Sequence, residues 1–214
     1  MKDADNFDTL QKFDTGVHAL TGSLSGNGRW AIVGMKTMQG GQRVRVYDTV
    51  TGFAAAEYDG HVERIRCVAL SDDGLWAYSA SADRHAIWEV TWNSRPIEAG
   101  ENSVRCAVFV PKSSRVAFGY ASGEIATNDN MGSVATFANQ HADAVSCLAA
   151  SPDGKLLISG GVDRTVYGWD LVTGRRTWEL TGLPGPVTSI AVSADGKQFA
   201  IATPQAWQIW ELPE

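Results

Sequence analysis

The feature that most constrains this chain is a repeat of about 41 residues that runs along its length. Segments of strand-like composition end at five evenly spaced positions, which are Tyr47, Trp88, Asn128, Trp169 and Trp210. The steps between these positions are 41, 40, 41 and 41 residues. A fixed period of this size indicates one supersecondary unit used repeatedly, because a single unit cannot bury its apolar face alone. The sequence therefore predicts five stacked copies of that unit.

The fourth copy shows most clearly what the unit is. Its alternating run at 145–148 is followed by the turn Ser151-Pro-Asp-Gly, where Pro and Gly suit the backbone angles of a tight turn. Two further short apolar runs follow, at 156–158 and 165–169. Short runs of period two between turn residues predict the strands of an antiparallel meander. A fourth strand is predicted in each of the first four copies, at 53–58, 96–99, 134–137 and 175–180.

The fourth copy resembles a WD40 repeat, with His141, Ser159, Asp163 and Trp169 at the family's spacing and Asp170 completing a terminal Trp-Asp pair. The resemblance implies a β-propeller in which these side chains form a hydrogen-bonded chain inside one blade. Physical chemistry supports a structural role, since a buried Trp needs an acceptor for its N–H and a buried carboxylate needs donors.

The second copy carries the same set, as His61, Ser79, Asp83 and Trp88. Its carboxylate lies five residues before the Trp, whereas the fourth copy has a spacing of six. This departure bears on whether the second blade completes the hydrogen-bonded chain. The third and fifth copies lack the His, and Asn128 replaces the Trp of the third.

Repeat and resemblance together predict an all-β fold, a single WD40-like β-propeller domain over residues 1–214 with five four-stranded blades. The predicted blades are 19–58, 65–99, 104–137, 145–180 and 187–212. The fifth copy has no fourth strand of its own, and the segment 8–13 has the composition of one. We expect this N-terminal strand to close the ring, as the resemblance implies, because closure removes exposed sheet edges. The alternative is an open arc of five blades that a partner chain completes.

Two arginines occupy the same position of the first strand in neighbouring copies. That position holds, in chain order, Leu20, Arg66, Arg105, Ser146 and Thr188. In a propeller it lies near the central channel and one face, so Arg66 and Arg105, with Glu63 and Arg64 beside them, are candidate partner-binding residues. A guanidinium group offers a bidentate fork to a carboxylate or phosphate. The alternative is that each arginine pairs with a nearby acid such as Glu63 or Glu101.

A second candidate is the segment 35–42, which separates the second and third strands of the first copy and is longer than its counterparts. One interpretation is an insertion tolerated at a loop tip. The other is a protruding contact loop in which Met35 and Met38 adapt to a partner surface. The sequence leaves both interpretations open.

No pattern typical of catalysis is present. A Ser/His/Asp grouping suggests a hydrolase, but its Trp completes a packing motif and no nucleophile elbow occurs. Phosphate-binding and calcium-binding loops are also absent from the sequence, so we predict no catalytic residue, no metal site and no cofactor. The three cysteines, Cys67, Cys106 and Cys147, occupy one position of successive blades. Packed sheets lie about 10 Å apart, too far for a disulfide.

Charge and hydropathy narrow the function. The chain has 18 Lys and Arg against 24 Asp and Glu, a formal net charge of −6, which disfavours a nucleic-acid partner held by general electrostatics. No apolar segment reaches the length of a membrane span and no secretory signal is visible, so we expect a cytoplasmic protein without membrane insertion. We predict a non-catalytic protein–protein interaction module, a small scaffold or accessory subunit of a larger complex. A lectin-like propeller that binds glycans or small molecules is the alternative, and an enzyme comes third.

Overall fold

The computed structural model describes residues 18–90, 97–99, 103–128, 134–137 and 140–213, and all regular secondary structure within them is β-strand. Nineteen strands in this part of the chain form five antiparallel sheets. Each sheet consists of strands that are consecutive in sequence, so each is a meander. The structure therefore confirms the all-β class and the arrangement in five blade-like sheets.

The strand bounds are as follows. The first sheet contains β1 (His18–Leu24), β2 (Trp30–Lys36), β3 (Gln42–Asp48) and β4 (Ala54–Tyr58). The second contains β5 (Cys67–Leu70), β6 (Trp76–Ala80), β7 (His85–Glu89) and β8 (Ile97–Ala99). The third contains β9 (Val104–Phe109), β10 (Val116–Tyr120), β11 (Ile125–Asn128) and β12 (Val134–Thr136). The fourth contains β13 (Val145–Ala150), β14 (Leu156–Gly161), β15 (Val166–Asp170) and β16 (Arg176–Leu180). The fifth contains β17 (Ser189–Val192), β18 (Gln198–Ala202) and β19 (Trp207–Glu211).

A turn supported by side chains closes the first hairpin in four of the five sheets. In the fourth sheet the Ser151 hydroxyl donates to Asp153 Oδ1 at 2.5 Å, and the Leu156 amide donates back to Ser151 Oγ at 2.9 Å. Gly154 takes a φ of 73°, a left-handed backbone conformation that residues with a Cβ rarely adopt. Equivalent hydrogen bonds close the turns that begin at Ser25, Ser71 and Ser193. The repeated turn keeps the register of the first two strands constant from sheet to sheet.

Neighbouring sheets pack face to face and bury apolar side chains in four layers. Ile158 and Ile201, for example, meet between the fourth and fifth sheets. The first strands of the sheets, β1, β5, β9, β13 and β17, lie side by side in this order. Because they run in the same sense, the segments that lead into them gather at one end of the fold.

Within the described ranges, one face of the fifth sheet is not covered as the equivalent face of the fourth sheet is. Val166 is fully buried between the fourth and fifth sheets, whereas Trp207, its equivalent 41 residues later, is 74% exposed. Ile209 lies on the same face as Trp207 and is 58% exposed. β17 and β1 also lack the close packing that joins the other neighbouring first strands. The segment 8–13 lies outside the described residues, so closure of the ring stays a prediction.

Two isoleucines of the fifth sheet provide a matched test of this packing. Ile201→Ala should lower the free energy of unfolding by about 2–5 kcal/mol, because Ile201 is buried against the fourth sheet. Ile209→Ala should change it by less than about 1 kcal/mol, because that side chain is exposed. Urea unfolding followed by tryptophan fluorescence measures both. Equal losses would mean that the face bearing Ile209 is covered in solution.

Candidate functional site

A buried chain of hydrogen bonds organises the fourth sheet. His141 Nδ1 lies 3.0 Å from the Asp163 carboxylate, and His141 Nε2 lies 2.8 Å from Ser159 Oγ. Trp169 Nε1 donates to the same Ser159 oxygen at 2.8 Å. With Nδ1–H donating to the carboxylate, Nε2 accepts a hydrogen bond from the Ser159 hydroxyl. Every polar side chain in this hydrogen-bonded set then has a partner. Burial lowers the pKa of His141, against the opposing effect of Asp163, which favours this neutral imidazole.

Asp163 and its equivalent in the second copy, Asp83, also hold the segments that lead into the first strands. Asp163 accepts a hydrogen bond from the Ala142 amide at 2.9 Å, just before β13. Asp83 accepts from the amides of Val62 and Glu63 at 3.3 and 3.2 Å, just before β5. Burial raises the pKa of Asp83, but hydrogen bonds from Ser81 and these amides outweigh it and lower the pKa to about 2. The loops at this end of the fold are therefore held by ionised carboxylates.

The second sheet keeps only part of the hydrogen-bonded chain. His61 Nε2 lies 2.8 Å from Ser79 Oγ, as in the fourth sheet. Trp88, however, is buried, and its Nε1 has no hydrogen-bond partner in the part of the chain that the structure describes. The expectation that Trp88 joins the chain is therefore not met. The second copy has one residue fewer between its carboxylate and its Trp, and Asp83 bonds Ser81 and the backbone before β5.

A cavity of about 540 Å³ opens where the first strands begin. Four of the five equivalent first-strand positions line it, namely Leu20, Arg66, Arg105 and Ser146. Glu63 and Arg64 lie on its wall, so the structure brings together all four charged residues that the sequence singled out. We call this the channel-mouth cavity. Its apolar lining includes Ile65, Val145 and Val162, which sequence reasoning missed because an alignment of first strands does not show which apolar side chains face the cavity.

The arginines of the channel-mouth cavity have no carboxylate partner among the described residues. Arg64, Arg66 and Arg105 are exposed, and within the described residues none of them forms an ion pair. Five arginines elsewhere lie 2.5–3.2 Å from carboxylates, namely Arg29, Arg43, Arg45, Arg84 and Arg176. The alternative in which Glu63 neutralises Arg66 or Arg105 is not seen, and Glu101 lies outside the described residues. Within the described residues, these guanidinium groups are therefore exposed and unpaired.

The structure corrects the interpretation of the segment 35–42. Met35 is only 1% exposed and belongs to β2, where it pairs with Ala19 and Arg43. The two strands extend to Lys36 and Gln42 and leave a short loop, so the extra residues lengthen a hairpin. Met38, at the loop tip, is 89% exposed. Met35 is thus unavailable to a partner, and Met38 stays a candidate.

The described residues offer no obvious site for a metal. No group of three His, Cys, Asp or Glu side chains in that part of the chain could hold a metal ion. Cys67, Cys106 and Cys147 are free thiols. Burial raises the pKa of Cys67 to about 12 and that of Cys147 to about 11, so these thiols stay protonated. No helix among the described residues is long and apolar enough to cross a membrane.

Comparison with known proteins matches residues 53–88 and 132–170 to the family described as "WD domain, G-beta repeat". The chain is 27% identical to "Periodic tryptophan protein 2 homolog" of Dictyostelium discoideum over 97% of its own length and 23% of that protein. It is 35% identical to "Protein groucho" of Drosophila melanogaster over 52% of its length and 16% of that protein. It is 28% identical to "Nuclear distribution protein nudF" of Aspergillus niger over 62% of its length and 35% of that protein. The chain thus spans a small part of each relative.

The two buried tryptophans give a test of the hydrogen-bonded chain. Trp169→Phe should lower the free energy of unfolding by about 1–2 kcal/mol more than Trp88→Phe, because only Trp169 donates a hydrogen bond. Both substitutions remove the same volume from a buried site, so each serves as the control for the other. Urea unfolding at neutral pH measures the difference. Equal losses in the two variants would contradict the hydrogen-bond argument.

Acid should destabilise the fold before its carboxylates titrate. Burial lowers the folded-state pKa of His85, and also that of His141, whereas both imidazoles have a pKa of about 6.5 in the unfolded chain. The unfolded chain therefore binds more protons as pH falls below about 6.5, so the free energy of unfolding decreases there, by at most about 1.4 kcal/mol per pH unit for each histidine. Urea unfolding between about pH 7 and about pH 5 measures this slope. His85→Gln and His141→Gln should each flatten it, and a flat wild-type profile would contradict the prediction.

Proposed function

We propose that this chain, a WD40-repeat protein, is a non-catalytic protein-interaction module that serves as a small scaffold or accessory subunit of a larger complex. The observation that carries the proposal is the channel-mouth cavity, where Arg64, Arg66 and Arg105 are exposed and without an ion pair in the described part of the chain. The match to WD domain repeats supports an interaction role, because stacked repeats create extended binding surfaces. The cytoplasm is the location we propose for it.

The residue composition around the cavity suits a protein partner. Arginine is enriched in the cores of protein interfaces, where its guanidinium group combines hydrogen bonding with packing. Val162 lines the cavity and is partly exposed, and Val62, beside Glu63, is 75% exposed. Apolar side chains next to unpaired arginines can contribute both packing and orientation to one interface.

A non-catalytic role is supported by where the Ser/His/Asp set lies. Its hydrogen-bond directions are those of a hydrolytic triad, with Ser159 donating to His141 and His141 donating to Asp163. Ser159, however, is fully buried, and its oxygen already accepts a hydrogen bond from Trp169 Nε1–H. A substrate carbonyl cannot reach a nucleophile in that position. The set therefore suits a structural role better than a catalytic one.

A second cavity, of about 610 Å³, supports the alternative of small-molecule binding more weakly. It lies beside the fourth and fifth sheets and is lined by the half-buried Trp178 and by Lys112, Asp153 and Asp195. An aromatic side chain among polar groups can hold a sugar ring or another small molecule. A lectin-like propeller would repeat such a site, but the positions equivalent to Trp178 in strand pairing are Ala56, Ile97 and Ala135.

Quantitative affinity capture tests the proposed function. The tagged chain is used to capture proteins from a lysate of its source, as wild type and as Arg66→Glu/Arg105→Glu. A matched control is Arg175→Glu/Lys197→Glu, which changes the net charge equally at the opposite ends of the fourth and fifth sheets. We expect the same proteins to be captured by the wild type and the control and lost from the cavity variant. A captured set unaffected by the cavity variant, or no captured protein, would overturn the proposal.

A further inference from the structure

We propose that the channel-mouth cavity recognises an anionic side chain on an extended segment of the partner, either a phosphorylated residue or a run of Asp and Glu. This inference rests on the proposed function and adds the chemistry of the partner. Its first basis is charge. Among the described residues, three guanidinium groups and one carboxylate, that of Glu63, line the cavity, which leaves an excess of two positive charges there.

That excess is unusual for this chain. Acidic residues outnumber basic ones by 24 to 18, and five arginines elsewhere have found carboxylate partners. Like charges gathered in one cavity repel each other, and an anion placed between them removes that repulsion. An arginine without a partner also keeps its full set of donors for a bidentate contact with phosphate or carboxylate.

The arginines stand on a rigid support. The Arg66 amide donates to the Ala80 carbonyl at 2.8 Å, and Arg105 lies within β9. The Glu63 amide is bound to Asp83, which fixes the segment that carries Arg64. Buried side chains, Ile65 and Val145, form part of the cavity lining. The backbone positions of the arginines are therefore fixed beside an apolar lining, which lowers the entropic cost of gathering their side chains around one anion.

A peptide segment fits this site better than nucleic acid does. The net charge of −6 repels a long polyanion at distances beyond the cavity, whereas a single anionic side chain meets only the local positive potential. The partly exposed Val162 gives the flanking residues of a peptide an apolar contact. The surrounding surface therefore favours a short anionic patch within an otherwise mixed segment.

Fluorescence anisotropy with defined peptide pools tests the inference on the full chain. Three labelled pools of random sequence carry at their centre phosphoserine, Asp-Glu-Asp or Ser-Gln-Ser. We expect the anionic pools to bind more tightly than the neutral pool. Arg66→Ala/Arg105→Ala should weaken that binding by about tenfold or more, since each arginine supplies charge-assisted hydrogen bonds. Raising the salt from about 0.1 M to about 1 M should weaken it as well.

The variants make the outcome decisive. Arg66→Lys/Arg105→Lys keeps the charge but loses the planar fork, so it should bind less tightly than the wild type and more tightly than the alanine variant. Arg175→Ala/Lys197→Ala is the charge-matched control and should bind like the wild type. Tighter binding of the phosphoserine pool than of the Asp-Glu-Asp pool identifies phosphate as the ligand group. Binding of the Asp-Glu-Asp pool as tight as that of the phosphoserine pool shows that carboxylates suffice.

Two results would overturn the inference. The first is equal binding of the anionic and neutral pools, and the second is an equal loss of binding in the cavity variant and the control. Neither result touches the proposed function, which is decided by the capture experiment. Cavity-dependent capture without preference for anionic peptides would leave the interaction module in place and remove only the anionic partner.

Discussion

The buried contact between His141, Ser159 and Trp169 is the interaction on which the rest of the fourth sheet depends. An indole N–H, a hydroxyl and an imidazole lie inside an apolar layer, where each would destabilise the fold if it lacked a partner. Their mutual hydrogen bonds remove that cost. Through Asp163, the same chain reaches the backbone before β13 and fixes the entry to the first strand. A network inside one sheet thus determines the position of a loop at the surface.

Because the first strands lie side by side, the loops that precede them come together around one cavity. Asp83 fixes the segment before β5, and Asp163 fixes the segment before β13. Both segments contribute to the channel-mouth cavity, through Glu63 and Arg64 on one side and through Ala144 on the other. The polar residues that look most like a catalytic set therefore hold the backbone segments that carry the candidate binding residues.

The sequence predicted much of the fold and part of the site, for a physical reason. A constant period transmits register, so aligning the first strands was enough to place Arg66 and Arg105 beside one cavity. The prediction failed where insertions change pairing, since the pattern does not show whether extra residues form a loop or lengthen two strands. Met35 became a buried strand residue in this way. The shorter spacing before Trp88 indicated a departure in the second sheet, but spacing could not show that Trp88 Nε1 has no hydrogen-bond partner among the described residues.

Unpaired arginines and an exposed apolar face are both departures from what stability alone would favour. In the inner sheets, the position of Val166 and its neighbours is covered by the next sheet, and most arginines elsewhere pair with acids. Trp207 and Ile209 break the first rule and the arginines of the channel-mouth cavity break the second. Both departures are seen among the described residues, and each leaves a surface that a further segment of this chain or a partner can satisfy. The cavity has the more specific chemistry of the two. The charge and the planar geometry of its guanidinium groups restrict the ligands that can bind there, whereas an apolar face accepts any complementary shape.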